Sequence, residues 1–465
     1  MDRRTFMKFG ALASGTLLAQ RAAAQTGPAA AGHHNHHGHH GAMSQGAGEG
    51  TGTARGVVAR AQLAGSPIVA PGGQRGVITP NGSTLPLRSE GGVRVGHLTA
   101  MPVRHTFAPG LVGECWGYNG STPGPTIEAV EGDRLRIYVS NDLPEPTTMH
   151  WHGLIVPNGM DGVAGLNQVP IPPGETFVYE FTLNRPGTYM YHPHYDEMTQ
   201  MALGMMGMFI VHPRKLRGPR VDRDFVLMTH EWKMRPGAQR PDPNEMSDFN
   251  VLTFNSRAFP ATEPLLIQRG ERVRIRLGNL SAMDHHPIHL HGLSFEVTQT
   301  DGGIVPRSAR YPETTVLVPV GSTRVIEFVA DEPGDWAMHC HMTHHVMTQM
   351  GHGLPVMLGA DGARIDRRVQ PVLPEFMAMG QTGMGGMSEM GMPVPENSLP
   401  MRGGPGPFGP VDMGGMFTLL KVRDDLTGED GSGFYRHPPG TVAGRADAAA
   451  MQRDGIVRNR PTPAR

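Results

Sequence analysis

Between about residues 96 and 360 the chain repeats short stretches in which apolar and polar side chains alternate, as in Leu135 to Val139, Phe177 to Phe181, Val273 to Leu277 and Thr323 to Phe328. Period-two alternation bounded by Gly, Pro and Asn predicts strands with one buried face. An all-β chain of sandwiches follows. The same region contains an internal repeat. EGDRLRIYVSNDL before MHWHGL (Met149 to Leu154) corresponds to RGERVRIRLGNL before IHLHGL (Ile288 to Leu293), and IPPGETFVYEF before PGTYMYHPH corresponds to VPVGSTRVIEF before PGDWAMHCH. Two copies of one β-sandwich unit are therefore predicted, at 96–215 and 222–360, joined by the charged stretch HPRKLRGPRVDRD.

The flanks read differently. MDRRTFMKFG, an apolar run from Phe9 to Ala19 and small residues near Ala22 to Ala24 resemble a twin-arginine export signal over residues 1–24, which implies a periplasmic or secreted protein. No other run has the about 20 apolar residues of a spanning helix. Residues 25–95 are rich in Gly, Ala, Ser and His, with the cluster Gly32 to His40, and are expected to be mostly unstructured. Residues 361–465 are read as a Met-rich extension and tail, in which Phe417 to Val422 could add a strand.

With 41 basic against 42 acidic side chains and no one-sign block, nothing points to nucleic acid or a membrane surface. The 24 His and 31 Met stand out, because imidazole and thioether both suit copper. Four motifs concentrate them: His150-Trp-His152, His192-Pro-His194, His286-Pro-Ile-His289-Leu-His291, and His339-Cys340-His341 followed by His345 and Met350. Residues two apart on a strand share a face. His339 and His341 therefore point one way and Cys340 the other. On the Cys340 side, His286, His345 and Met350 complete two imidazoles, a thiolate and a thioether, the ligand set of a blue-copper centre. On the other side eight histidines remain, four from each copy of the repeat, too many for a single tetrahedral zinc.

These four motifs resemble, residue for residue, the copper-binding motifs of the multicopper oxidases, over roughly residues 96–360. The resemblance implies two cupredoxin-like Greek-key domains and four coppers per chain. It implies type 1 copper on His286, Cys340 and His345 with Met350 axial, type 2 copper on His150 and His289, and a type 3 pair on His152, His192, His194, His291, His339 and His341. It further implies an oxidase that takes single electrons from phenols, aromatic amines or Cu(I) and reduces dioxygen to water. In the first copy Pro193, Met198 and Thr147 replace Cys340, His345 and His286, so that copy has no type 1 ligands. The short spacing between motifs two and three resembles two-domain laccases, and that resemblance implies a homotrimer with each three-copper cluster between subunits.

Asp161 stands where the family has an acid near type 2 copper and is a candidate proton donor; the alternative is a turn-forming Asp before Gly162. Cys115 is expected to be a small buried residue, Met198 to Met208 to pack a core, and His285, His344 and His352 to be exposed or hydrogen-bonded. The Met-rich extension suits Cu(I), with a plain linker as the alternative. A copper nitrite reductase fits poorly, since its type 2 site needs three histidines and its blue copper lies in the first domain. A storage protein holding copper in the His and Met tracts is the remaining competitor.

Overall fold

Leu135, Ile137 and Val139 alternate with Arg134, Arg136 and Tyr138 along the strand Arg134–Asn141, and the first set is buried while the second meets solvent. That strand is central to one sheet of the first sandwich, between Val93–Ala108 and Thr176–Thr182; Arg88–Glu90 and Leu111–Tyr118 both pair with Val93–Ala108. The facing sheet contains Ile127–Val130, Gly207–His212 and Gly187–Tyr191. Leu98, Leu135, Ile137, Trp151, Tyr179 and Phe209 fill the space between them. All four alternating stretches predicted from the sequence lie inside strands.

The second sandwich repeats the plan. Arg223–Trp232 runs parallel to Arg272–Asn279, which pairs antiparallel with Ser322–Val329, as Val93–Ala108 runs parallel to Arg134–Asn141 and the latter antiparallel to Thr176–Thr182. Its other sheet has the order Leu265–Gln268, Phe417–Arg423, Gly334–Cys340, His286–Leu290, Thr315–Val318. The strand expected at Phe417 to Val422 thus forms, and in the interior of the sheet.

A computed structural model describes residues 76–216, 218–347, 359–372, 374, 378, 396–400 and 403–457, and these fall within one compact unit, Glu49–Arg465. Met350, His352, the His-rich cluster and most of the Met-rich run lie outside the described residues. Among the described residues no helix is long and apolar enough to cross a membrane.

One expectation changes. Residues 76–95 are structured: Val77, Ile78 and Leu85 are buried, Ile78 bridges to Phe225, and the Val77 amide donates to Glu128 at 2.9 Å. Within the charged stretch between the repeats, Arg223 and Asp224 are buried. Asp224 binds Arg276 through both oxygens, at 2.7 and 2.8 Å, and Arg276 also donates to Thr188 of the first sandwich at 2.7 Å. Burial alone would raise the Asp224 carboxyl, but Arg276 and Arg274 outweigh it and hold it below the usual carboxylate range.

A further apolar cluster joins the sandwiches, with Phe107, Met190, Met206 and Met208 from one and Met228, Trp232 and Met234 from the other. Of the methionines after the second motif, Met205, Met206 and Met208 are buried as expected, Met201 is half-buried and Met198 is exposed. Cys115 is a buried free thiol in the same cluster.

Candidate metal centre

His286 begins the strand His286–Leu290 and Cys340 ends its neighbour Gly334–Cys340; His345 follows on the short turn Thr343–Val346. All three are buried. Cys340 Sγ lies 3.7 Å from His286 Nδ1 and 3.5 Å from His345 Nδ1, and the two Nδ1 atoms are 3.3 Å apart. With metal–nitrogen bonds of about 2.0 Å and metal–sulfur bonds of about 2.3 Å, three ligands at tetrahedral to trigonal angles around one ion stand roughly 3.3–3.7 Å apart. The triangle fits copper.

The outer nitrogens of these imidazoles are held as well. His286 Nε2 meets Ser281 Oγ at 2.7 Å, and His345 Nε2 lies 3.4 Å from Asp284 Oδ2. Burial first, then His345, lowers the His286 pKa well below the ordinary imidazole value, so its lone pair is free for a metal. Burial pushes the Cys340 thiol up to about 12; an amide bond from Met342 opposes this, and the charges of Asp284 and Glu231 add to it. A thiol so placed keeps its proton until a cation takes the position.

Along Gly334–Cys340 the pleat turns the neighbouring imidazoles away from this triangle. His339 and His341 lie beside His289 and His291, with ring centroids 4.7–5.6 Å apart for the pairs in contact. His289 Nδ1 faces the Thr314 carbonyl at 2.8 Å and His339 Nδ1 faces the Cys340 carbonyl at 2.8 Å.

The first sandwich holds the matching quartet. His150 and His192 are joined by backbone hydrogen bonds in both directions, and their rings gather with those of His152 and His194 at centroid distances of 5.3–6.4 Å. Trp151, between the first two ligands, points instead into the core. A ring nitrogen that faces a carbonyl carries the hydrogen. His150 Nδ1 faces the Asp161 carbonyl at 2.7 Å, His192 Nδ1 that of Pro193 at 2.9 Å, and His152 Nε2 that of Gly321 at 2.8 Å.

The remaining nitrogens of these rings are therefore bare acceptors. His152 Nδ1 and His192 Nε2 nonetheless stand 3.2 Å apart. Two lone pairs at that distance make no hydrogen bond, and a shared cation resolves the contact. Burial, with help from His152, lowers His192 to about 3, so protonation is no substitute.

Among the described residues no ring of the first quartet contacts a ring of the second, so one chain brings together each half of the octet but not the whole. Asp161 reaches His150 with its side chain too, Oδ1 standing 3.5 Å from Nδ1. His285 is exposed and accepts from the Val320 amide, and His344 is exposed. Sequence reasoning missed Ser281, Asp284 and Gly321, and also Glu197, whose carboxylate lies 3.4 Å from His192 Nδ1. Asp284 and Glu197 had a visible signal, each standing two or three residues from a ligand motif; Gly321 had none.

Family models described as multicopper oxidase match residues 101–216 and 235–358, together more than half of the chain. Copper resistance protein A of Escherichia coli is 26% identical over 318 residues, 58% of this chain and 51% of that protein. Laccase-1 of Cryptococcus neoformans var. grubii is 33% identical over 221 residues, 41% of this chain and 35% of that protein. The chain thus spans about half the length, or less, of these curated relatives. Among solved structures, the multicopper oxidase mgLAC aligns with a TM-score of 0.51 at 26% identity, covering 70% of this chain and 85% of that one. A blue copper oxidase from Nitrosomonas europaea gives the same score and coverage at 24% identity, a likeness of fold. Matched in both halves and carrying metal-ligand sets of fitting geometry in each, the chain belongs to the multicopper oxidase family.

Proposed function

We propose that the protein is a laccase-like oxidase with four coppers per chain: His286, Cys340, His345 and Met350 would hold a type 1 copper, His150 and His289 a type 2 copper, and His152, His192, His194, His291, His339 and His341 a type 3 pair. Bound copper supplies one-electron uptake from a phenol, an aromatic amine or Cu(I) at the first set and four-electron reduction of dioxygen to water at the second. Cys340 links the two sets through the chain, since its peptide neighbours His339 and His341 face the other way. Buried Cys340 and His286 keep water from the sulfur, while His345 turns its Nε2 edge toward Asp284, whose side chain is 35% exposed, and so gives electrons a way in. Asp161, with a carboxylate oxygen 3.5 Å from His150 Nδ1, is the side chain placed to pass protons to the site.

The separation of the quartets supports a homotrimer in which the first sandwich of one subunit meets the second of the next. The amino-terminal signal supports export to the periplasm or beyond. The observation that carries the reading is the Cys340–His286–His345 triangle backed on the same strand by His339. It is tested by loading purified protein with copper, counting metal per chain and recording the visible spectrum. Four coppers and a strong blue band absent from Cys340→Ser are expected; a colourless protein with one metal per chain would defeat the proposal.

A further inference from the structure

The two sandwiches close in the same way but by chain excursions of different length. In the first, Gly207–His212 pairs antiparallel with Gly187–Tyr191 and parallel with Ile127–Val130. In the second, Phe417–Arg423 occupies the equivalent place, antiparallel to Gly334–Cys340 and parallel to Leu265–Gln268. Residues 192–206 connect the first pair of strands; residues 341–416 connect the second. The longer excursion leaves directly from the loop carrying His345 and, on its return, touches that loop again.

The return is a set of backbone contacts to the ligands themselves. The Met416 amide donates to the His345 carbonyl at 3.0 Å, while the Met416 carbonyl accepts from the Cys340 amide at 3.1 Å. One residue therefore ties both ligands. The Gly414 amide donates to the Val346 carbonyl at 2.7 Å. Gly415 has φ +58°, and a Cβ there would stand 2.5 Å from the His345 carbonyl oxygen, a contact only glycine avoids. The returning segment is itself anchored, because the Gly415 carbonyl accepts from the Phe259 amide at 2.9 Å and the Phe417 carbonyl from Thr262 Oγ1 at 2.9 Å.

Thr343–Val346 is a single short turn of 3₁₀ type, so the placement of His345 depends on what packs against that turn. We infer that Gly414, Gly415 and Met416 are positioning residues of the type 1 centre, a strap that sets the placement of His345 relative to Cys340. The inference rests on the type 1 reading above and extends it beyond the family-matched residues, which end at 358.

The test uses the full, copper-loaded chain with Gly415→Ala, Thr262→Val and the control Gly428→Ala. Gly428 also has a left-handed φ, +79°, but open space where its Cβ would be, so the control carries comparable backbone strain without touching the loop. Gly415→Ala should displace the Cys340-dependent visible band, change the hyperfine splitting and reduction potential of that copper, and weaken its binding by about 10- to 100-fold, as lost supporting contacts do. Thr262→Val should move the same quantities in the same direction by less, and it reports on the strap even if Gly415→Ala does not fold. Gly428→Ala should match the unaltered protein. Wild-type spectra and potentials in both strap variants, or an equal change in the control, would overturn the inference. Absence of any Cys340-dependent band in the unaltered protein would instead overturn the type 1 reading.

Discussion

The clearest contrast in the molecule lies between two equivalent pockets, one in each sandwich, on the side of the ligand strand away from the histidine quartet. In the second sandwich that pocket holds Cys340, His286 and His345, three donors close enough together to share one metal ion. In the first, Thr147 replaces His286 and donates to Gln200 Oε1 at 2.7 Å, while Gln200 Nε2 donates to the Pro146 carbonyl at 2.8 Å. Gln200 is fully buried, and Met198, in the place of His345, is turned out to solvent. A neutral pair closes this pocket with its hydrogen bonds satisfied. Strand alternation lets one face carry the same imidazoles in both copies while the opposite face is rebuilt freely, as a candidate metal site in one and a plug in the other.

The sharpest attack on the comparison separates the quartets. His152→Ala and His291→Ala should each abolish dioxygen reduction, and an equimolar mixture unfolded and refolded together should regain about a quarter of wild-type turnover, the share of head-to-tail contacts that pair two intact quartets. No recovery, with trimers present, would place each cluster within one chain. A smaller effect is expected where the sandwiches join. Asp224→Asn leaves Arg276 buried without its partner and should cost about 3–5 kcal/mol of stability in urea unfolding at pH 7. Because the folded carboxyl titrates below its ordinary value of about 4, its contribution is present above that pH and fades as pH falls further, so the difference between variant and wild type should shrink in acid.

Next in size, Asp161→Asn should lower oxidase turnover by about 100-fold. The rate at which reductant bleaches the blue band without oxygen should not change; if it slows equally, Asp161 is not a proton donor. The mildest expectation concerns the plug. Thr147→Val takes the donor from Gln200 and should cost about 1–3 kcal/mol, seen as a lower Tm, with the blue band unmoved. A displaced band would mean that the two pockets are not independent.

Much of this was legible because it is local. The His-x-His spacing states which side chains share a face, and the repeat states that the fold is used twice, so both quartets and the Cys340 triangle follow from strand geometry. What supports the ligands was harder to read. Ser281 and Asp284 act through a turn whose shape is set by tertiary contacts, and Gly321 contributes a backbone carbonyl that no side-chain pattern announces. Residues 76–95 fall in a segment rich in Gly, Ala, Ser and His and so expected to lack structure, yet Val77, Ile78 and Leu85 find apolar partners distant in sequence. The strand Phe417–Arg423 was visible as an apolar run, but its interior place in the sheet depends on partners at 265–268 and 334–340.

The bond between His152 and the Gly321 carbonyl bears on how such proteins can be recombined. It spans the two sandwiches of one polypeptide, so the orientation of an imidazole in the front half is written into a turn of the back half. A chimaera that grafts the amino-terminal sandwich onto a relative's carboxy-terminal one could inherit every histidine and still misalign this ring. The 319–321 turn has to travel with the graft.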